Sequence, residues 1–165
     1  MKNPNTNAAF IDGQNLNLGI KVLGWRLDWR KFRTYLKDKY GVERAFYFIG
    51  FIPENQSLYT ALQKAGFILV FKAVLPARDG KHKGNVDADL VLNVMKELDS
   101  YDRAVIVTSD GDFDSLVEHL YRRNKLETVL SPASATCSAL LKKAAKERVQ
   151  FLDVQRPKLE FIPPK

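Results

Sequence analysis

The stretch at residues 104–114, AVIVTSDGDFD, leaves few folds open to a chain that contains it. Its apolar, β-branched run is short and bounded by polar residues, which reads as a buried strand. Phe113, Leu116, Val117 and Leu120 then repeat at helical spacing, so strand, tight turn and helix follow without a break. The turn carries Asp110, Asp112 and Asp114 within five positions. Two unit charges ~4 Å apart repel by ~4 kcal/mol at an effective dielectric of ~20. Acids so placed call for a positive partner among them, and a hard cation is the simplest one.

The same kind of unit occurs elsewhere along the chain. Residues 8–11 form an apolar run that stops at Asp12, after which Gly13, Gln14 and Asn15 turn the chain into Leu16, Leu18 and Ile20. Asp28 is placed to cap a helix running to about residue 39, with Trp29, Phe32, Tyr35 and Leu36 inward and Arg30, Lys31, Arg33 and Lys37 outward. A second strand at 42–51 precedes a helix opened by Pro53 and ended by Gly66, and a third strand follows at 67–73. Residues 76–84, PARDGKHKG, read as a basic loop whose Arg78, Lys81 and Lys83 suit the phosphates of a nucleic acid. After the opening stretch come a helix to about residue 123, a strand at 127–130, a helix around 138–147 and a last short strand at 149–154. From Arg156, the tail with Pro157, Pro163 and Pro164 is expected to leave regular structure. The organisation expected is a flexible N-terminus (1–7), one domain (8–154) and a Pro-containing tail (155–165). Leu159, Phe161 and Ile162 in that tail either pack back on the domain or make a homodimer contact.

The segment at 86–98 predicts a helix whose pattern is informative. At 100° per residue, Leu90, Val91, Val94, Met95 and Leu98 define one apolar stripe. Asp87 falls on the middle of that stripe, whereas Asp89 points the opposite way, to solvent. An inward acid in a first turn can serve the helix as a cap or through its dipole. It can also be a ligand.

Strands alternating with helices imply parallel strands joined by right-handed crossovers, hence an open α/β sheet covered on both faces. In such sheets ligands bind beyond the carboxyl ends of the strands, where the winding reverses. A mainly parallel order 3-2-1-4-5, with a short extra strand near the C-terminus, sets the strands ending at Asp12 and Asp110 side by side. Asp12, Asp87, Asp110 and Asp112 then converge from distant parts of the sequence. Singly, each has an ordinary role as a cap or turn former; together they make a metal site. Oxygen donors without His or Cys select Mg²⁺ or Mn²⁺ over zinc.

Composition agrees with this and narrows the class. The 165 residues, 45% hydrophobic, are enough for one domain with a core. The single Cys137 allows no intrachain disulfide or thiolate zinc cluster, and the two isolated histidines do not make one. No apolar stretch approaches the ~20 residues that span a bilayer, and MKNPNTN is not a signal peptide, so no membrane partner and a cytoplasmic location are expected. A net charge of +7 beside an acid-rich motif places the positive charge elsewhere on the surface, where a polyanion is the natural partner.

Three motifs carry a resemblance. FIDGQNL at 10–16, KGNVDADL at 83–90 and VTSDGDF at 107–113, in that order and between the right elements, resemble the NYN domain of the LabA group, within the PIN-like nuclease superfamily. The likeness covers residues 8–154. It implies a PIN-like three-layer α/β/α sandwich and a metal-dependent ribonuclease site, with Asp12, Asp87, Asp110 and Asp112 on the family's acidic positions and Asn15 on its motif Asn. Where the family often has a further acid in the central helix, this chain has Asn93. One Mg²⁺ or Mn²⁺ is implied, with room for a second. Ser109 and Asn15 would position acids or phosphate, and the substrate implied is RNA, taken as single-stranded. The alternatives are an RNA-binding or scaffold module that cleaves little, and, further off, a Mg-dependent phosphatase. The phosphatase pattern wants a hydroxyl or small residue where this chain has Asp114.

Overall fold

The structure, a computed structural model, describes residues 6–73, 75–76, 82–83 and 86–164, with 75, 76, 82 and 83 described for their backbone alone. Six strands make the main sheet: β1 (Asn7–Asp12), β2 (Val42–Phe51), β3 (Ile68–Ala73), β6 (Ala104–Val107), β7 (Leu126–Ser131) and β8 (Val149–Phe151). Their order is β3-β2-β1-β6-β7-β8, and every neighbouring pair is parallel. In chain order this is 3-2-1-4-5 with the short sixth strand added at one edge. Two residues each of β4 (Leu75–Pro76) and β5 (His82–Lys83) pair antiparallel, apart from that sheet, where the sequence suggested only a loop.

The central strands β1 and β6 are buried along their whole length, because helices cover both faces of the sheet and no polar alternation is needed. Ala9, Ile11, Val105 and Val107 face one core, closed by α1 (Gly13–Val22), α2 (Trp29–Tyr40) and α3 (Gln56–Ala65). Ala8, Phe10, Ala104 and Ile106 face the other, closed by α4 (Asp87–Lys96), α5 (Asp114–Arg122) and α6 (Ala139–Ala145). The architecture is a three-layer α/β/α sandwich. The ends of α2 follow from its sequence: the Asp28 carboxylate accepts the N–H groups of Arg30 and Lys31 at 3.1 Å, and Gly41, at φ 66°, takes the left-handed residue that closes the helix.

From β1 the chain builds outward through β2 to β3, then returns to pair β6 against the other side of β1, with Ile11 opposite Val107. The winding therefore reverses between β1 and β6. Beyond their carboxyl ends lies the crevice in which such sheets bind ligands.

Helix α1 is set close against this end of the sheet. A Cβ on Gly13 would lie 2.5 Å from Cε1 of Tyr47 and 2.7 Å from the Phe48 carbonyl oxygen, so only glycine fits without displacing strand β2. Gly13→Ala is accordingly expected to destabilise the protein by ~1–3 kcal/mol, the usual cost of overpacking. Chemical denaturation of the two proteins side by side checks this; equal midpoints would contradict it.

The tail departs from its sequence expectation. Residues Arg156–Leu159 form a helical turn, α7, with Pro157 in its first turn, where the missing proline N–H would have had no partner in any case. Leu159 is fully buried in the first core, a placement that stabilises by ~1.5–3 kcal/mol. The Asp28 N–H donates to the Leu159 carbonyl at 2.8 Å and the Phe161 N–H to that of Arg26 at 2.8 Å. The tail thus packs back on the body of the domain.

Candidate metal centre

Asp12, Asp87 and Asp110 arrive from three elements and meet at the switch point. One carboxylate oxygen of each lies within 4.8 Å of those of the other two. Asp12 is the last residue of β1 and the N-cap of α1; Asp87 opens α4; Asp110 follows β6 and caps a 3₁₀ turn, Gly111–Phe113. Asp12 is 5% exposed, and the other two are half-buried. With Gln14, Asn15, Leu18 and Val86 they line a cleft of about 280 Å³.

Backbone and side-chain hydrogen bonds aim the carboxylates. Asp12 accepts the Asn15 N–H on Oδ1 at 3.4 Å and the Thr108 hydroxyl on Oδ2 at 3.1 Å. The same Thr108 oxygen accepts the Asp110 N–H at 3.1 Å, so one buried hydroxyl joins two of the three acids. Asp110 Oδ1 accepts the Asp112 N–H at 2.9 Å. The Asn15 side-chain oxygen accepts both the N–H and the hydroxyl of Ser109, at 2.9 and 3.0 Å, tying α1 to the turn after β6. Capping leaves these acids able to serve as ligands as well, since each carboxylate oxygen has a second lone pair to offer.

The electrostatics fit a cation. Burial pushes Asp12 up from 3.8 to about 6, reinforced by the charges of Asp87 and Asp110 and opposed by the two hydrogen bonds just described. Burial also raises Asp87, with Asp110 and Asp112 adding to it. Carboxylates forced together this way resist ionising unless a positive charge sits among them. An all-oxygen set without His or Cys is suited to a hard divalent ion, and three carboxylates leave coordination positions for water and a phosphate oxygen.

Not every expected site residue joins the group. Asp112 is exposed and its carboxylate is outside the cluster, although its charge reaches Asp87; two residues on from Asp110 around a 3₁₀ turn, its side chain leaves the crevice. Asp114 opens α5, where its Oδ1 accepts the N–H of Ser115 at 2.7 Å. Asn93 donates its amide to the Asp89 carbonyl of its own helix at 2.8 Å. Asp89, expected in solvent, is half-buried and pairs with Lys72 of β3 at 3.4 Å. Arg78 and Lys81 lie outside the described residues, as does the side chain of Lys83.

Thr108 is the member that sequence reasoning missed. Its signal was present: a Thr two residues before an acid can take that residue's N–H in an ST turn. Thr108→Val keeps the shape but leaves the Asp110 N–H buried without a partner, at a cost of ~1–3 kcal/mol. Metal affinity should fall by roughly 10–100-fold, as for other residues that orient ligands. Calorimetric titration with Mn²⁺ reads the second effect, and unchanged affinity would mean that Thr108 does not hold the acids.

A doubly wound parallel sheet with carboxylates clustered at its switch point defines an α/β domain with a candidate acidic metal site. The chain belongs to the NYN domain family, whose model matches residues 7–153. It is 27% identical over 138 residues to the low amplitude and bright protein LabA of Synechococcus elongatus, a match covering 78% of this chain and 74% of that protein. A crystal structure of a Vibrio parahaemolyticus protein of unknown function shares the fold, with a TM-score of 0.79 and 23% identity over 98% of this chain and 100% of that one. Among the described residues, no helix is long and apolar enough to cross a membrane.

Proposed function

We propose that the protein is a metal-dependent ribonuclease that hydrolyses RNA phosphodiester bonds at the carboxyl ends of β1 and β6. The observation that carries this reading is the meeting of Asp12, Asp87 and Asp110 within 4.8 Å from elements far apart in sequence. These three would hold one Mg²⁺ or Mn²⁺, and a second ion would need Asp112 and Asn93 to take part. When bound, such an ion lowers the pKa of a water and offsets charge on the phosphoryl oxygens. The chain's own residues do the rest. Thr108 and the Asn15 N–H fix both oxygens of Asp12; Asn15 holds Ser109 beside Asp110; Arg78, Lys81 and Lys83 would grip the substrate backbone.

The test is cleavage of single-stranded RNA by purified protein in Mn²⁺ and in chelator, with Asp12→Asn and Asp110→Asn as controls. Cleavage that needs the metal and vanishes in both variants supports the proposal; equal cleavage in all three refutes it. A second reading, an RNA-binding module with little catalysis, is favoured by Asn93 standing where a further acid would complete the site. Tight, salt-sensitive RNA binding without cleavage would select it.

A further inference from the structure

The two tryptophans of the chain line one groove. It measures about 580 Å³ and runs along α1, with Asn17, Lys21, Trp25, Arg26, Trp29 and Leu58 among its walls. Helix α1 gives Gln14 and Leu18 to the acidic cleft and Asn17 and Lys21 to this groove, on faces about 60° apart at 100° per residue. That helix is a wall the two sites share. The charge reverses across that wall, since the groove lining contains Lys21 and Arg26 and no acid.

The lining is held in place. Trp29 meets Tyr47 and Phe67 at ring-centre distances of 5.7 and 6.3 Å, with planes close to perpendicular. The Tyr47 hydroxyl donates to Asn17 Oδ1 at 3.1 Å, which leaves the Asn17 amide nitrogen as the donor that side chain offers a ligand. The Arg26 guanidinium lies 5.1 Å from the centre of the Phe161 ring, and its carbonyl accepts the Phe161 N–H. The C-terminal segment therefore braces one cation of the groove.

The half-buried indole of Trp29, an oriented amide and two cations form a set that takes a planar base by stacking and its phosphate by charge, while Trp25, 6% exposed, belongs to the core. We propose that this groove binds an unpaired nucleobase and its phosphate, from the strand whose nearby phosphodiester lies over Asp12, Asp87 and Asp110. The placement of that scissile bond rests on the nuclease reading; the groove itself does not. A base stacked and paired within a duplex must first leave its stack to enter such a site, so the preference is for single strands.

Because Trp25 and Trp29 are the only tryptophans, intrinsic tryptophan emission reports on this groove directly. The probe is a short single-stranded oligouridylate, titrated into Asp110→Asn so that it is not consumed. Saturable quenching is expected, weakened about tenfold in affinity by adding Lys21→Ala and Arg26→Ala, two exposed positions whose loss leaves the core intact. In the otherwise native protein, the same pair should raise KM about tenfold with kcat unchanged, as loss of uniform binding does. Oligouridylate binding that leaves emission unchanged, or that is indifferent to both substitutions, overturns the groove while leaving a metal-dependent nuclease standing. Quenching that depends on Lys21 and Arg26, in a protein that cleaves nothing, supports the groove and refutes the nuclease.

Discussion

Asp110→Asn is expected to reduce metal-dependent RNA cleavage by at least about a hundredfold while leaving the fold intact. Residues that merely orient metal ligands are worth roughly 10–100-fold, and Asp110 is one of the three acids whose oxygens lie within 4.8 Å of one another. The fold should survive because asparagine keeps the side-chain oxygen that accepts the Asp112 N–H and caps the turn. What changes is the negative charge. Cleavage of a labelled single-stranded RNA, with circular dichroism as the check on folding, measures both halves of the expectation. Full activity in a folded variant would remove Asp110 from the chemistry.

The second large effect concerns stability and has the opposite sign. In the metal-free protein Asp12 is raised from 3.8 to about 6, mainly by burial. A group whose folded pKa is raised stabilises the fold fully below its unfolded value and loses that contribution as pH rises through the folded value. The window is therefore about pH 4 to 6, and above it the buried charge costs ~2–3 kcal/mol. Asp87, also raised by burial and by its acidic neighbours, adds in the same direction. In chelator at pH 7.5, Asp12→Asn should melt above the native protein, by roughly 5–10 °C for a domain of this size. At pH 4 the difference should nearly vanish. Saturating Mn²⁺ should reverse the order, because a ligand that binds only the folded native protein stabilises it. Thermal melts in those three conditions test the sign. A variant less stable than the native protein in chelator at pH 7.5 would make Asp12 a helix cap and nothing more.

How far the site could be read beforehand depended on the range of the interactions involved. Asp12 and Asp110 end apolar runs, and a parallel sheet turns that local fact into a shared rim. Asp87 was visible because a carboxylate interrupts an apolar stripe of period 3.6. Asp112 was read into the same rim, but alternation along the sequence says nothing about where a 3₁₀ turn sends its second residue. Asp89 illustrates another limit, since its partner Lys72 comes from an edge strand of the sheet and no helical periodicity contains it. The tail failed for a different reason. Pro157 was read as a breaker, but proline fits the first turn of a helix, and Leu159 finds its place only once α2 exists. Thr108 lay in plain sight between two motif residues, and its two partners, Asp12 and Asp110, are 98 positions apart in sequence.

The groove beside α1 belongs to the same lesson. Its two tryptophans are four residues apart across a helix cap, and sequence alone assigns Trp29 to the core. Only the packing of α1, tight enough at Gly13 to exclude a methyl group, brings that aromatic wall onto the helix that also lines the acidic cleft.

The most direct measurement is a crystal soaked in Mn²⁺ and recorded at a wavelength where manganese scatters anomalously. The account predicts a peak enclosed by the carboxylates of Asp12, Asp87 and Asp110, absent from crystals of Asp12→Asn. No peak among those carboxylates at millimolar Mn²⁺, or one that persists when Asp12 is replaced, would contradict it.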